Sequence, residues 1–307
     1  MKQNTWCQQN TGVRTLCFRS NLMKKGVLFT AIAYAGVWLL VGAYWLCGQT
    51  TESPLWIVIA TLCMMMPLVA TVILQRIEKE PVFRGLCIRW KPNRWWLVAW
   101  LLPALLTTAT VGISCLMPGM HFTTESPMMT ELLDKINAAL PSGKTISPTI
   151  FMLAQVANGF IAGITINALF AFGEEIGWRG YLLKLFAGQR FLPTAIIIGA
   201  ILGLWHMPLI LMGHNFPDHP VIGVFVMTIA CICLAPIVQF IRLKSGSVVA
   251  AAIFHGSFNA FGTFVPLFFE HTDDLLSGPM GLAGIVSSIV GLGVLHFTDR
   301  RILSSTI

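Results

Sequence analysis

Glu174 and Glu175 stand side by side at the end of a long apolar run, and Arg179 follows four residues after the second acid, within Phe-Ala-Phe-Gly-Glu-Glu-Ile-Gly-Trp-Arg-Gly-Tyr-Leu, residues 170–182. A charged side chain in a hydrocarbon setting is costly. Insertion scales give about 2.5–3.5 kcal/mol for Asp, Lys or Arg at a helix centre, and Glu should behave similarly. Two adjacent acids add to this, because like charges disfavour joint ionisation. The chemistry such a pair offers is proton transfer, since a carboxylate kept from bulk water can serve as general base toward a single water molecule. On a continuing helix Glu175 and Arg179 share a face and can pair. One acid is then held ionised, and the other is free to take protons. Asn167, seven residues before Glu174, falls on the same face. A helix-end salt bridge alone would need one acid, not two.

Further polar residues interrupt apolar runs downstream. In Leu-Trp-His-Met-Pro, residues 204–208, His206 precedes a proline that removes the hydrogen bond due to the Leu204 carbonyl, so a kink and a free carbonyl fall beside an imidazole. Taken alone, His206 reads as a packed core histidine. In Phe-His-Gly-Ser-Phe-Asn, residues 254–259, His255 and Asn259 are four apart and share a helix face. His214 and His219 flank Pro217-Asp218; a metal pair is one reading, and the polarity of an exposed loop accounts for them more simply. His121, His271 and His296 fall near interfaces and carry no assigned role.

The elements that must position these groups are membrane helices. The chain has 307 residues, of which 55% are hydrophobic and 11% charged, with mean hydropathy +0.74; soluble domains carry about 25% charged residues. The composition predicts an all-α, polytopic membrane helix bundle. Eight apolar runs approach the length needed to span a core of ~30 Å, near residues 27–47, 55–74, 95–117, 150–172, 193–213, 221–241, 248–269 and 281–297. Eighteen of the twenty Lys and Arg residues fall in alternate connections; Lys135 and Lys144 are the two on the other side. By the positive-inside rule both termini are expected to be cytoplasmic, and an even number of spans requires the same. The net charge of +7 is thereby a topology signal and not a nucleic-acid footprint. No nucleic-acid partner and no organic cofactor are expected. The eight cysteines do not form a secreted disulfide framework, and Cys231 and Cys233 read as small apolar fillers.

The expected organisation is a basic cytoplasmic tail over 1–26, N-terminal transmembrane helices with an external amphipathic segment over 27–149, a core over 150–270 carrying the chemistry, and a last transmembrane helix with a cytoplasmic tail over 271–307. In the external segment Ser126-Pro127 can cap a helix whose Met129, Leu132, Leu133, Ile136 and Leu140 share one face, as for a helix lying on the outer leaflet. Gly159-x3-Gly163 and Gly199-x3-Gly203 predict close helix contacts in a compact bundle.

Glu174-Glu175-x3-Arg179, then a histidine in an apolar helix (His206), then His255-x3-Asn259, resembles the CPBP family of intramembrane proteases, which includes the CAAX prenyl endopeptidases and bacteriocin-processing or immunity proteins. The likeness covers about residues 150–270, and departs from the family pattern at Leu202, where a Phe is usual. It implies a multi-helix bundle with a cavity open toward the cytoplasm, and hydrolysis of peptide bonds in membrane-associated peptides, prenylated C-termini or leaders among them. The catalytic set it implies is Glu174, Glu175, Arg179, His206, His255 and Asn259. In this reading Glu174 is the base, His206 orients the water or a metal, Arg179 holds Glu175, and His255 with Asn259 binds the developing oxyanion. A metalloprotease would place Zn²⁺ on Glu174, His206 and His255; a metal-free glutamate mechanism would use the same residues. The expected partners are a peptide substrate and the lipid bilayer, in a bacterial plasma membrane. A non-catalytic binding or immunity protein on the same bundle, and a proton-coupled transporter, are the competing classes.

Overall fold

The computed structural model describes residues 12–141 and 144–307, giving only the helical path for 12–20. The residues expected to begin the tail, up to 11, and the side chains of Arg14, Cys17 and Arg19 lie outside the described residues. Among the described residues the chain is helical, with isolated β-bridges and no sheet. Helix α1 (Gly12–Leu46) is followed by α2 (Leu55–Met64) and α3 (Met66–Ile77), which a break at Met65, beside Pro67, separates. Next come α4 (Arg94–Ser114), α5 (Pro127–Ala139), α6 (Pro148–Ile164) and α7 (Ile166–Glu175). A wide-wound π segment (Ile176–Leu182) and the single turn α8 (Leu183–Leu185) extend α7. Then follow α9 (Phe191–Trp205), α10 (Met207–Leu211), α11 (Pro220–Ser245), α12 (Val248–Gly262) and α13 (Leu282–Thr298).

All eight apolar runs are helical. Taking α2–α3, α9–α10 and α12 with the turn that follows it (to Phe268) each as one helix, six are long and apolar enough to cross a membrane, and the bent pair α6–α7 makes seven. The expected eighth, α13, has 17 residues, about 25 Å at 1.5 Å per residue, at the short end of the spanning range. Helix α1 already runs from Gly12, and its apolar part from Asn21, within the stretch expected as a tail.

The bend of 41° between α6 and α7 has a local cause. The Thr165 hydroxyl donates to the Ile161 carbonyl at 2.7 Å, the carbonyl its own backbone N–H would use in an unbroken helix, while that N–H turns to Ala162. Threonine bonding back to residue i−4 bends helices in this way. The bend steers α7, and with it the acids, against α12.

Helix α12 is the centre of the bundle. Of its apolar window 78% is buried, against 22% for α1. Glycine lets α6 and α7 reach it: a methyl group at Gly163 would fall 2.8 Å from the Ser257 Cα, and one at Gly256 would meet the Ala168 backbone. The seam between α9 and α11 works alike, since a methyl at Gly203 would fall 2.5 Å from the Thr228 Cα. Backbones at this distance gain contact that side chains would forbid.

Helix α5 departs from the expectation in what covers it. Ser126 caps it as expected, its hydroxyl accepting from the Met129 N–H at 3.1 Å. Met129 and Leu133, however, are buried against Phe151, Phe261, Phe264 and Leu267. The apolar face lies on the bundle, not on a leaflet. A stripe at helical spacing shows that a face is covered, not what covers it.

Candidate active site

The site is built where α7 passes into the π segment, opposite the middle of α12. Glu174, Glu175 and Arg179 are buried, at 2%, 1% and 2% exposure. Arg179 Nη1 donates to Glu175 Oε1 at 2.9 Å. The pairing survives the change of winding because residues four apart still stack when each turn takes up more residues. His255 Nδ1 approaches the same Oε1, also at 2.9 Å. Oε1 already accepts from Arg179, so that nitrogen is the donor, and the other ring nitrogen, Nε2, is left for chemistry.

Glu174 has no such partner. Its Oε2 is buried without a hydrogen bond, as are Glu175 Oε2, Arg179 Nε and the indole nitrogens of Trp178 and Trp205. Orphans of this kind are a few per hundred residues in folded proteins, and five of them fall on these neighbouring side chains. Around them the walls are aromatic. Trp178 lies edge-on to Trp205 at 5.9 Å and to Phe29 of α1 at 5.4 Å.

His206 sits in the break between α9 and α10. Its Nδ1 donates to the Leu202 carbonyl at 2.9 Å. A carbonyl can only accept, so the tautomer is fixed and Nε2 carries the lone pair. The bond uses the backbone of residue 202, so the departure from Phe to Leu there leaves it intact. His206 lies within electrostatic range of His255 and of His214, and His255 within range of Glu174.

The structure thus joins Glu175, Arg179 and His255 directly, sets Glu174 beside them and brings His206 into range. Asn259 is exposed on the next turn of α12. Beside the buried acids, the His255 side chain is 18% exposed. The connection 186–190 is a turn and not a continuation of helix.

Among the described residues, the one group of three metal-capable side chains with ligand atoms within 4.8 Å of one another is His219, Asp273 and Asp274. Glu174, His206 and His255 are not gathered to that distance. The loop histidines do not pair either: Trp56 Nε1 donates to His214 Nδ1 at 3.3 Å, while His219 Nδ1 bonds Asp274 Oδ1 at 2.7 Å.

Three contributors had little signal in the sequence. The π segment shows no periodicity that separates it from α-helix. Gln239 and Arg242 on α11 reach the site-bearing elements, Gln239 Nε2 donating to the Phe191 carbonyl at 3.0 Å and Arg242 Nε to the Arg179 carbonyl at 3.1 Å. A polar amide inside an apolar run was the available hint for Gln239.

Residues 148–261 match the family model of Rce1-like type II CAAX prenyl endopeptidases. The segment that carries the site is of the CAAX-protease family. The match begins at the first residue of α6 and ends within α12, just over a third of the chain, and includes all six expected site residues. No curated protein matches the chain. A CAAX-protease segment on a bundle of apolar helices supports an integral membrane protein with CAAX-type protease activity toward a peptide at the membrane.

Proposed function

We propose that the chain is an intramembrane endopeptidase that hydrolyses membrane-associated peptides, prenylated C-terminal peptides or leaders, with water activated by Glu174. The observation that carries this reading is the division of labour between the adjacent acids. Glu175 is engaged by Arg179 and His255, whereas Glu174 is buried with an unpartnered oxygen.

In this mechanism Glu174 removes a proton from water as the water oxygen bonds to the scissile carbonyl carbon. The carbonyl electron pair moves onto its oxygen. His255, with both nitrogens protonated, offers Nε2–H to that oxygen while Glu175 balances its charge; Asn259 is the further donor on the same face. The C–N bond then breaks as the electrons return, and the proton held by Glu174 passes to the leaving amine. His206 Nε2 accepts a hydrogen bond from the water and orients it.

By residue type the donors also suit zinc, which takes three ligands of these types plus water, though here their ligand atoms are not all within 4.8 Å of one another. Metal-binding histidines usually donate their other N–H to a carboxylate or carbonyl, as His255 and His206 do here. Glu174, His206 and His255 would hold the ion, which would acidify the bound water and polarise the carbonyl. Both termini facing the cytoplasm of a bacterial plasma membrane completes the reading.

The test is elemental analysis of purified wild type and His206→Ala, paired with cleavage of a mixed membrane-peptide library before and after a chelator. Zinc lost with His206, and cleavage lost on chelation, makes this a zinc hydrolase. Cleavage without metal leaves Glu174 acting on water directly. No cleavage of any peptide removes the protease reading.

A further inference from the structure

Two basic residues close helix α11, and they point in different directions. Lys244 pairs with Asp299 and keeps its side chain 30% exposed, as a cation near the end of a span usually does. Arg242, two residues earlier, is 7% exposed and turns inward. None of the ion pairs among the described residues includes it. A cation kept from water without an anion is unfavourable, and marking the cytoplasmic side of α11 would need only the outward orientation that Lys244 has. The inward turn has a local purpose.

Its Nε donates to the main-chain carbonyl of Arg179 at 3.1 Å. Arg179 is thereby held at both ends, by Arg242 at its carbonyl and by Glu175 at its guanidinium. Glu175 in turn holds the His255 ring. One turn earlier on α11, Gln239 holds the Phe191 carbonyl, at the start of the helix that ends at His206. Three residues apart, Gln239 and Arg242 share a helix face. We infer that this face of α11 sets the site, with Arg242 a positioning residue for the Glu175–His255 half and Gln239 for the His206 half. The inference rests on the proposed hydrolysis only for its effect on rate; the spectroscopic effect below needs no activity.

The experiment uses the full chain in nanodiscs with ¹⁵N-labelled histidine. The ring signals are assigned by loss in His206→Ala and His255→Ala, and cleavage of a quenched, prenylated Cys-a-a-X peptide is followed in parallel. Arg242→Gln is expected to shift the His255 ring nitrogens and leave those of His206 in place, and Gln239→Leu to do the reverse. Lys244→Met, two residues away on the same helix end, should move neither. Outer-shell substitutions commonly cost about 10- to 100-fold in activity, so Arg242→Gln should lower kcat about tenfold with KM little changed, and Arg242→Lys should recover part of both the shift and the rate. Should Arg242→Gln fail to fold, Arg242→Lys carries the test, because a flexible ammonium cannot reproduce the Nε bond in full. An unmoved His255 signal in a folded Arg242 variant overturns the inference, as does an equal shift with Lys244→Met. Wild type that cleaves neither this peptide nor any member of the mixed membrane-peptide library, with the histidine shifts as expected, refutes the hydrolase reading and leaves the positioning role standing.

Discussion

His255–Glu175 and His219–Asp274 are both histidine–carboxylate pairs, closed at 2.9 and 2.7 Å. The second is a tie between loops. Its histidine is 40% exposed, and the Asp274 carboxylate also accepts the backbone N–H groups of Asp218 and His219, so both its oxygens are used. The first lies inside the bundle, with an arginine on the same oxygen and unpartnered oxygens on both acids. A satisfied pair at the surface has nothing left to offer a substrate. A buried pair that leaves oxygens unmet is maintained at a cost, and the place where the cost is concentrated is the place where a reacting group can be received.

The comparison is broken most severely by removing the buried cation. Arg179→Met leaves Glu175 with His255 as its remaining partner, and breaking a buried pair from one side typically costs about 3–5 kcal/mol. SDS-driven unfolding in bicelles should show a loss of that order, whereas Asp274→Asn in the same assay should show far less. Equal losses would mean that burial does not separate the two pairs.

A smaller effect is expected where α12 meets α7. Gly256→Val places a side chain against the Ala168 backbone, and overpacking of this kind costs about 1–3 kcal/mol. It should also reduce cleavage, because it moves His255 away from Glu175, while leaving the His219 loop undisturbed. Unchanged stability and cleavage would show that the seam is looser than its geometry.

The smallest effect is in the pH dependence of the outer tie. The hydrogen bond from His219 to Asp274, with the charges of Asp274, Asp273 and Asp218, raises the His219 pKa above the usual histidine value. A raised folded-state pKa gives stability that is fully present below the unfolded value, about 6.5, and lost as pH rises through the folded value. Asp274→Asn should therefore lower the melting temperature at pH 6 by more than at pH 9. A loss that grows toward pH 9 would contradict the assignment.

Much of this was legible in the residues. Apolar runs marked all eight apolar helices, and the four-residue spacing of Glu175 and Arg179 foretold their pair. The Ser126 cap followed from its Ser-Pro dipeptide. What escaped depends on tertiary packing. His255 and Glu175 are eighty residues apart, and only the fold shows that His255 is spent partly on Glu175. Amphipathicity of α5 could not distinguish lipid from protein as its cover, and the inward turn of Arg242 is invisible beside Lys244, since both satisfy the same charge rule. Asn259 shares the expected face with His255, yet it lies exposed, because a shared face does not fix the burial of each residue along it.

The most direct test is the cleavage of a quenched, prenylated Cys-a-a-X peptide by purified wild type and Glu174→Gln in nanodiscs, with helical content checked by circular dichroism. General-base catalysis supplies about 100- to 10,000-fold, so a folded Glu174→Gln should lose at least the lower figure while Asp274→Asn keeps its rate. A folded Glu174→Gln that cleaves like wild type would contradict the account.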